Sequence, residues 1–161
     1  MTEFYAQPYS LDHTGFYFDS LEKYESGMKG LNKRGCEEVE IQFIDGDDHL
    51  CKLANAMNIN QCNVGLWFAE LDDLDEAATT RLCFLLDLGY KLDEALGRYE
   101  DVWLFEGTAT DYAYDLINET TEIPEGLRNY IDYDAIARDM RLNGEIEEIE
   151  RDLIVANAQE F

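Results

Sequence analysis

Near the start of the chain, apolar and polar residues alternate with period two. "EFYAQPY" and "GFYF" predict two strands, joined by the turn-like "SLDHT". Further on, "EEVEIQFIDGDD" sets Val39, Ile41 and Phe43 against Glu38, Glu40 and Gln42, the pattern of a strand with one buried face. Between these lies "SLEKYESGMKGLNKRG", which predicts a helix capped by Ser20, closed at Gly35 and interrupted by Gly27 and Gly30. Together they form a small β-β-α-β unit.

The middle of the chain reads as helical. "HLCKLANAMN" and "LWFAEL" predict short helices. "DEAATTRLCFLLDLG" predicts a longer one that buries a broad apolar run, with Asp75 as N-cap and Gly89 as stop. "KLDEALGRYE" follows as another helix. The last third opens on the strand-like "VWLFEG" and continues with "TATDYAYDLINET", a helix capped by Thr108 or Thr110. In "DYDAIARDMRLNG" Asp132 caps a further helix and Asn143-Gly144 ends it. "EIEEIERDLIVANA" reads as a hairpin or one bent strand, and Trp67, Phe68 and Trp103 as core residues. The fold class expected is α+β, in three small abutting lobes: β-rich over 1–47, helical over 48–101, and α+β over 102–161. Pieces of about 50–60 residues are small to be stable alone, so the lobes should support one another.

Composition adds an unusual charge. Thirty-six acids face 12 bases, for a net charge of −24, while 46% of residues are hydrophobic and can build a core, which argues against disorder. Such a surface repels nucleic acid and anionic membrane and favours a basic partner. The N-terminus "MTEFYAQPYS" lacks a basic, then apolar, leader, so a cytoplasmic location is expected. Cys36, Cys51, Cys62 and Cys83 are widely spaced and read as buried free thiols.

Catalytic and metal-binding signatures are missing. Asp45, Asp47 and His49 alternate as in a calcium loop, but an EF-hand needs Gly and Glu where this chain has Leu50 and Ala56. Two histidines are too few to suggest zinc. No GxSxG, HExxH, P-loop or GxGxxG occurs. A carboxylate-using hydrolase stays open, since any two acids could converge in the fold. So does adaptation to a saline habitat.

The distribution of the acids is more informative. Residues 35–51, 53–80 and 99–127 contain no Lys or Arg, yet hold 6, 5 and 8 acids. In the third stretch Asp111, Asp115 and Glu119 recur every four residues on one face of the predicted helix, with Ala109, Ala113, Leu116 and Ile117 opposite. Like charges at this spacing cost about 0.2–0.5 kcal/mol per pair. The helix over 133–142 has the usual mixture instead, with Asp134 placed to pair with Arg138. Duplex DNA carries one charge per about 1.7 Å, so a net charge of this size matches roughly 12 base pairs.

"IPEGLRNYIDYDAIARDM" resembles the C-terminal signature of the ArdA antirestriction proteins, and "FYAQPY", "GFYF", "VEIQFIDGDD" and "CKLANAMNINQ" are also similar to an ArdA-like branch. "DLINETTEIPE" lies where that family carries its antirestriction motif. The resemblance implies an elongated, non-enzymatic protein of three lobes, usually dimeric, from a plasmid, transposon or phage. Its acidic surface would imitate B-form DNA and occupy the DNA-binding channel of Type I restriction–modification enzymes. No catalytic residue, metal or cofactor is implied, and no nucleic acid or membrane as partner. The mimic surface would comprise Asp111, Asp115, Glu119, Glu122 and Glu125, the middle-lobe acids Glu70, Asp72, Asp73, Asp75 and Glu76, and Asp45, Asp47 and Asp48. Tyr112, Tyr130 and Tyr133 are the implied homodimer contacts, with a core role equally open to each. The alternative reading is a decoy for another basic target: a CRISPR effector, a nucleoid protein or a transcription factor.

Overall fold

A computed structural model describes residues 2–161 and has a mixed α+β architecture. The chain divides into two compact units, Met1–Ala95 and Leu96–Phe161.

The first unit begins with strands β1 (Glu3–Pro8) and β2 (Phe16–Phe18), helix α1 (Leu21–Asn32) and strand β3 (Val39–Asp45). The sheet is antiparallel with order β2-β1-β3. Its alternation puts Phe4, Ala6, Phe18, Val39 and Ile41 in the core and leaves Tyr5, Tyr17 and Gln42 on the other face. Ser20 caps α1 by accepting from the Lys23 N–H. Mid-helix Gly27 has a packing cause: a Cβ there would run into the Phe16 ring.

Helix α2 (Asp48–Ala56) follows, then α3 (Val64–Leu66), which widens into a π turn over Trp67–Leu71. The Asp72 N–H closes that turn on the Trp67 carbonyl at 3.0 Å. Trp67 is fully buried, edge-on to Phe4 with ring centroids 5.3 Å apart, and its indole N–H donates to the Thr2 hydroxyl at 3.4 Å. The sheet and the helices after it therefore share one aromatic core. Each such side chain stabilises by about 1.5–3 kcal/mol through burial. Helix α4 (Glu76–Asp87) packs on α2, and Gly89, at φ +94, lies just past its end. Helix α5 (Leu92–Leu96) closes the unit.

The second unit contains a 3-10 turn (Tyr99–Asp101), strand β4 (Leu104–Glu106), helix α6 (Ala109–Thr120), a second 3-10 turn (Glu125–Tyr130), helix α7 (Tyr133–Leu142) and strands β5 (Glu147–Glu150) and β6 (Leu153–Val155). The sheet order is β4-β6-β5, all antiparallel. The final segment is thus a hairpin, turning through Asp152 at φ +58. Helices α6 and α7 meet through Ala109, Ala113, Ala137 and Met140 over Ile146 and Ile154. Buried Asn157 joins segments distant in sequence: its amide nitrogen donates to the Asp101 carbonyl, and its oxygen accepts from the Trp103 N–H, both at 2.9 Å.

Three sequence expectations need correction. Trp103 is 64% exposed, because extended backbone alternation turns Val102 inward and its neighbour outward. The four cysteines are free, but only Cys36 is buried and Cys62 is exposed. Asp134 and Arg138 do not pair: Asp134 accepts from the Thr110 hydroxyl at 2.7 Å, and the Arg138 guanidinium lies 3.7 Å from Asp139. Among the described residues no helix is long and apolar enough to cross a membrane.

Candidate functional site: the unpaired carboxylates

Twelve of the thirteen sequence-predicted acids are exposed, and Asp72 is half-buried. Among the described residues, none of the thirteen has a Lys, Arg or His nitrogen within the 4.0 Å of an ion pair. That is the main electrostatic fact about the surface, because other acids among the described residues do pair, Asp19, Asp139, Glu148 and Asp152 among them.

In the first unit the acids form two groups that folding brings together. Asp45, Asp47 and Asp48 surround the turn from β3 into α2, with Asp47 at the N-cap and Asp48 in the first turn. Glu70, Asp72, Asp73, Asp75 and Glu76 run from the π turn into α4. His49 links the groups: its Nε2–H donates to the Leu74 carbonyl at 3.2 Å. Nothing in the spacing of the sequence announces this contact, 25 residues apart. Within the second group, partial burial and the neighbouring Asp73 push the Asp72 carboxyl above its ordinary value.

Some of these acids also have local structural roles. Asp75 caps α4, accepting from the Ala78 N–H at 2.8 Å. Asp48 and Glu76 lie in first turns, where the helix dipole favours an anion.

In the second unit α6 presents Asp111, Asp115 and Glu119 outward, with Ala109 and Ala113 buried and Leu116 and Ile117 half-buried on the other side. Asp111 differs from the other two. Thr108 is the N-cap, and Asp111 completes a capping box by accepting from the Thr108 hydroxyl at 2.6 Å and N–H at 2.9 Å. Those two bonds hold its carboxyl below the ordinary value. The T-x-x-D spacing could have signalled this role, by analogy with the T-x-x-E box. Asp115 and Glu119 have no hydrogen-bonded partner among the described residues, and α6 has no base in its last turn. Glu119 thus adds an anion to the negative end of the dipole, at a cost of about 0.3–1 kcal/mol.

Glu122 lies in a hollow with Asn118, Thr121, Ile123, Pro124 and Arg128, and Glu125 opens the following 3-10 turn. Of the three tyrosines, Tyr112 packs on Phe105 at 5.2 Å and Tyr133 on Tyr114 at 5.0 Å, each half-buried inside the unit. Tyr130 is 84% exposed beside exposed Leu127.

What this arrangement offers chemically is a field of solvated anions. Three surface hollows each contain a single carboxylate, Glu25, Glu122 or Glu40. No group of three or more His, Cys, Asp or Glu among the described residues could hold a metal.

Two comparisons bear on identity. No curated protein gives a significant match to the chain. A family model described as antirestriction protein (ArdA) matches residues 2–155, nearly the whole length and including every acid discussed above. With that coverage, the chain belongs to the ArdA family of antirestriction proteins.

Proposed function

We propose that this antirestriction protein is a non-enzymatic mimic of DNA that occupies the DNA-binding channel of Type I restriction–modification enzymes. The observation that carries the reading is the α6 ladder, in which exposed Asp115 and Glu119 stand without a cation despite a local cost in stability. Carboxylates four residues apart are separated by about 6 Å along the axis, close to two base-pair steps of about 3.4 Å each. A paired Lys or Arg would cancel the charge that stands for a phosphate. The acids around His49 extend the same chemistry in the first unit.

The protein acts as a homodimer in this reading. Its contact includes the 3-10 turn bearing Leu127 and Tyr130, since Tyr112 and Tyr133 already pack within the unit.

The test is to add purified protein to a Type I enzyme with unmodified substrate DNA. Cleavage should stop at near-stoichiometric protein and recover as salt is raised, because contacts between exposed charges are screened. Undiminished cleavage at a stoichiometric excess and low salt would refute this target. Inhibition of DNA binding by a different basic protein would then keep the mimicry and change its object.

A further inference from the structure

The first sheet leaves one long edge without a partner. β3 is seven residues long and, among the described residues, pairs only with β1. The Tyr9 N–H bonds the Glu38 carbonyl, and bonded pairs alternate along an antiparallel ladder, so Glu40 and Gln42 face their β1 partners. Val39, Ile41 and Phe43 therefore turn their backbone N–H and C=O groups away from the sheet. Val39 supports this parity, because its N–H is taken from that side by the Gln61 side-chain oxygen at 3.0 Å. Gln61 also donates to the Glu37 carbonyl at 3.0 Å, so it closes one end of the edge and leaves the rest open.

Beyond that edge lies a groove. One wall is β3, and the other is α2 with the turn after it, contributing Ala54, Asn55, Asn58 and Ile59. A strand laid in it would turn alternate side chains toward the α2 wall and the others toward the open face of the sheet, where Glu40 stands. The one charged side chain lining the groove among the described residues is Glu40, and the segment that carries it, residues 35–51, contains six acids and no base. The nearest base on α2, Lys52, sits about 100° round the helix from Cys51 and acts on the Cys83 thiol of α4.

We infer that the β3–α2 groove docks an extended basic segment of a partner protein, which adds to β3 as a fourth strand through Ile41 and Phe43. The segment alternates small apolar residues, facing α2, with Arg or Lys facing Glu40. This is strand addition to a sheet edge, in which main-chain bonds give affinity and alternate side chains give specificity. A second copy of this chain does not fit: pairing β3 with β3 would set Glu40 and Asp45 of two chains of net charge −24 beside each other. The inference is independent of DNA mimicry, because it concerns a backbone edge and not the α6 acids.

The experiment uses the full chain and a fluorescein-labelled peptide alternating valine and arginine over about six residues, a usual strand length. Because any cationic peptide is attracted to so acidic a protein, two N-methylated versions are compared, each blocking the amides of one alternate set. One version should bind like the parent. The other, unable to donate to the Ile41 and Phe43 carbonyls, should bind at least about tenfold more weakly. Hydrogen exchange at the Ile41 and Phe43 amides should be fast in the free chain and slow with the parent peptide, and Asn55→Arg should weaken binding by a similar factor. Equal binding of both methylated peptides, no protection of those two amides at saturation, or no binding at millimolar peptide would overturn the proposal. Protection that rises with protein concentration alone would also overturn it, assigning the edge to a second copy.

Discussion

Helices α6 and α7 are neighbours of nearly equal length that share one small-residue contact, yet they treat charge in opposite ways. On α7, Arg138 lies 3.7 Å from Asp139, and Arg141 reaches Glu148 of β5 at 2.8 Å. On α6, three acids face solvent and no base occurs between residues 99 and 127. The inner faces impose no such difference, since both are built on alanine and pack on the same cluster. The charge on α6 is therefore not a by-product of its packing. Only Asp111, bonded into the cap, has a structural reason to be acidic.

That contrast can be broken in graded ways. The largest effect should come from Asp115→Asn, Glu119→Gln and Glu122→Gln combined, which spares the capping Asp111. At about 1 kcal/mol per charge removed from a close interfacial pair, inhibition of a Type I enzyme should weaken about a hundredfold at low salt. Thermal stability should hold or rise, and inhibition equal to the parent's would separate these acids from function. Ala113→Leu should lower unfolding free energy by about 1–3 kcal/mol, measured by denaturant titration, because the α6–α7 contact has no room for a branched side chain.

Thr108→Ala should cost about 1 kcal/mol by removing the N-cap. It should also change the acid limb of the stability curve. The folded Asp111 carboxyl is held below its ordinary 3.8, so its contribution is present above that value and is lost as pH falls through the lower folded one. Without Thr108 the loss should be smaller. Glu119→Lys should have the smallest effect, a gain of about 0.3–1 kcal/mol at low ionic strength from a cation near the helix C-terminus. A loss of stability there would mean that Glu119 has a structural partner.

Much of the fold was legible because its signals are local. Ser20, Asp75 and Asp132 cap the helices they were expected to cap, and the alternation around Ile41 correctly divided β3 into a buried and an exposed face. Elements set by distant partners were not legible. The π turn at Trp67 packs against Phe4, and Gln61 holds β3 by reaching 22 residues back. The final segment, open between a hairpin and one bent strand in the sequence, is the hairpin. Charge density in the candidate site could be counted from sequence. The proximity of its two first-unit groups could not, because it rests on the bond from His49 to Leu74.

The placement of the aromatic core has a practical consequence. The chain's two tryptophans fall one to each compact unit, Trp67 sealed among phenylalanines and Trp103 open to solvent. A neutral collisional quencher such as acrylamide should therefore dim only the emission of Trp103 in the folded protein. The remaining fluorescence belongs to Trp67, so its red shift during titration with urea times the melting of the first unit, while loss of the quenchable fraction's native spectrum times that of the second. One cuvette thus reads the two halves of the molecule separately.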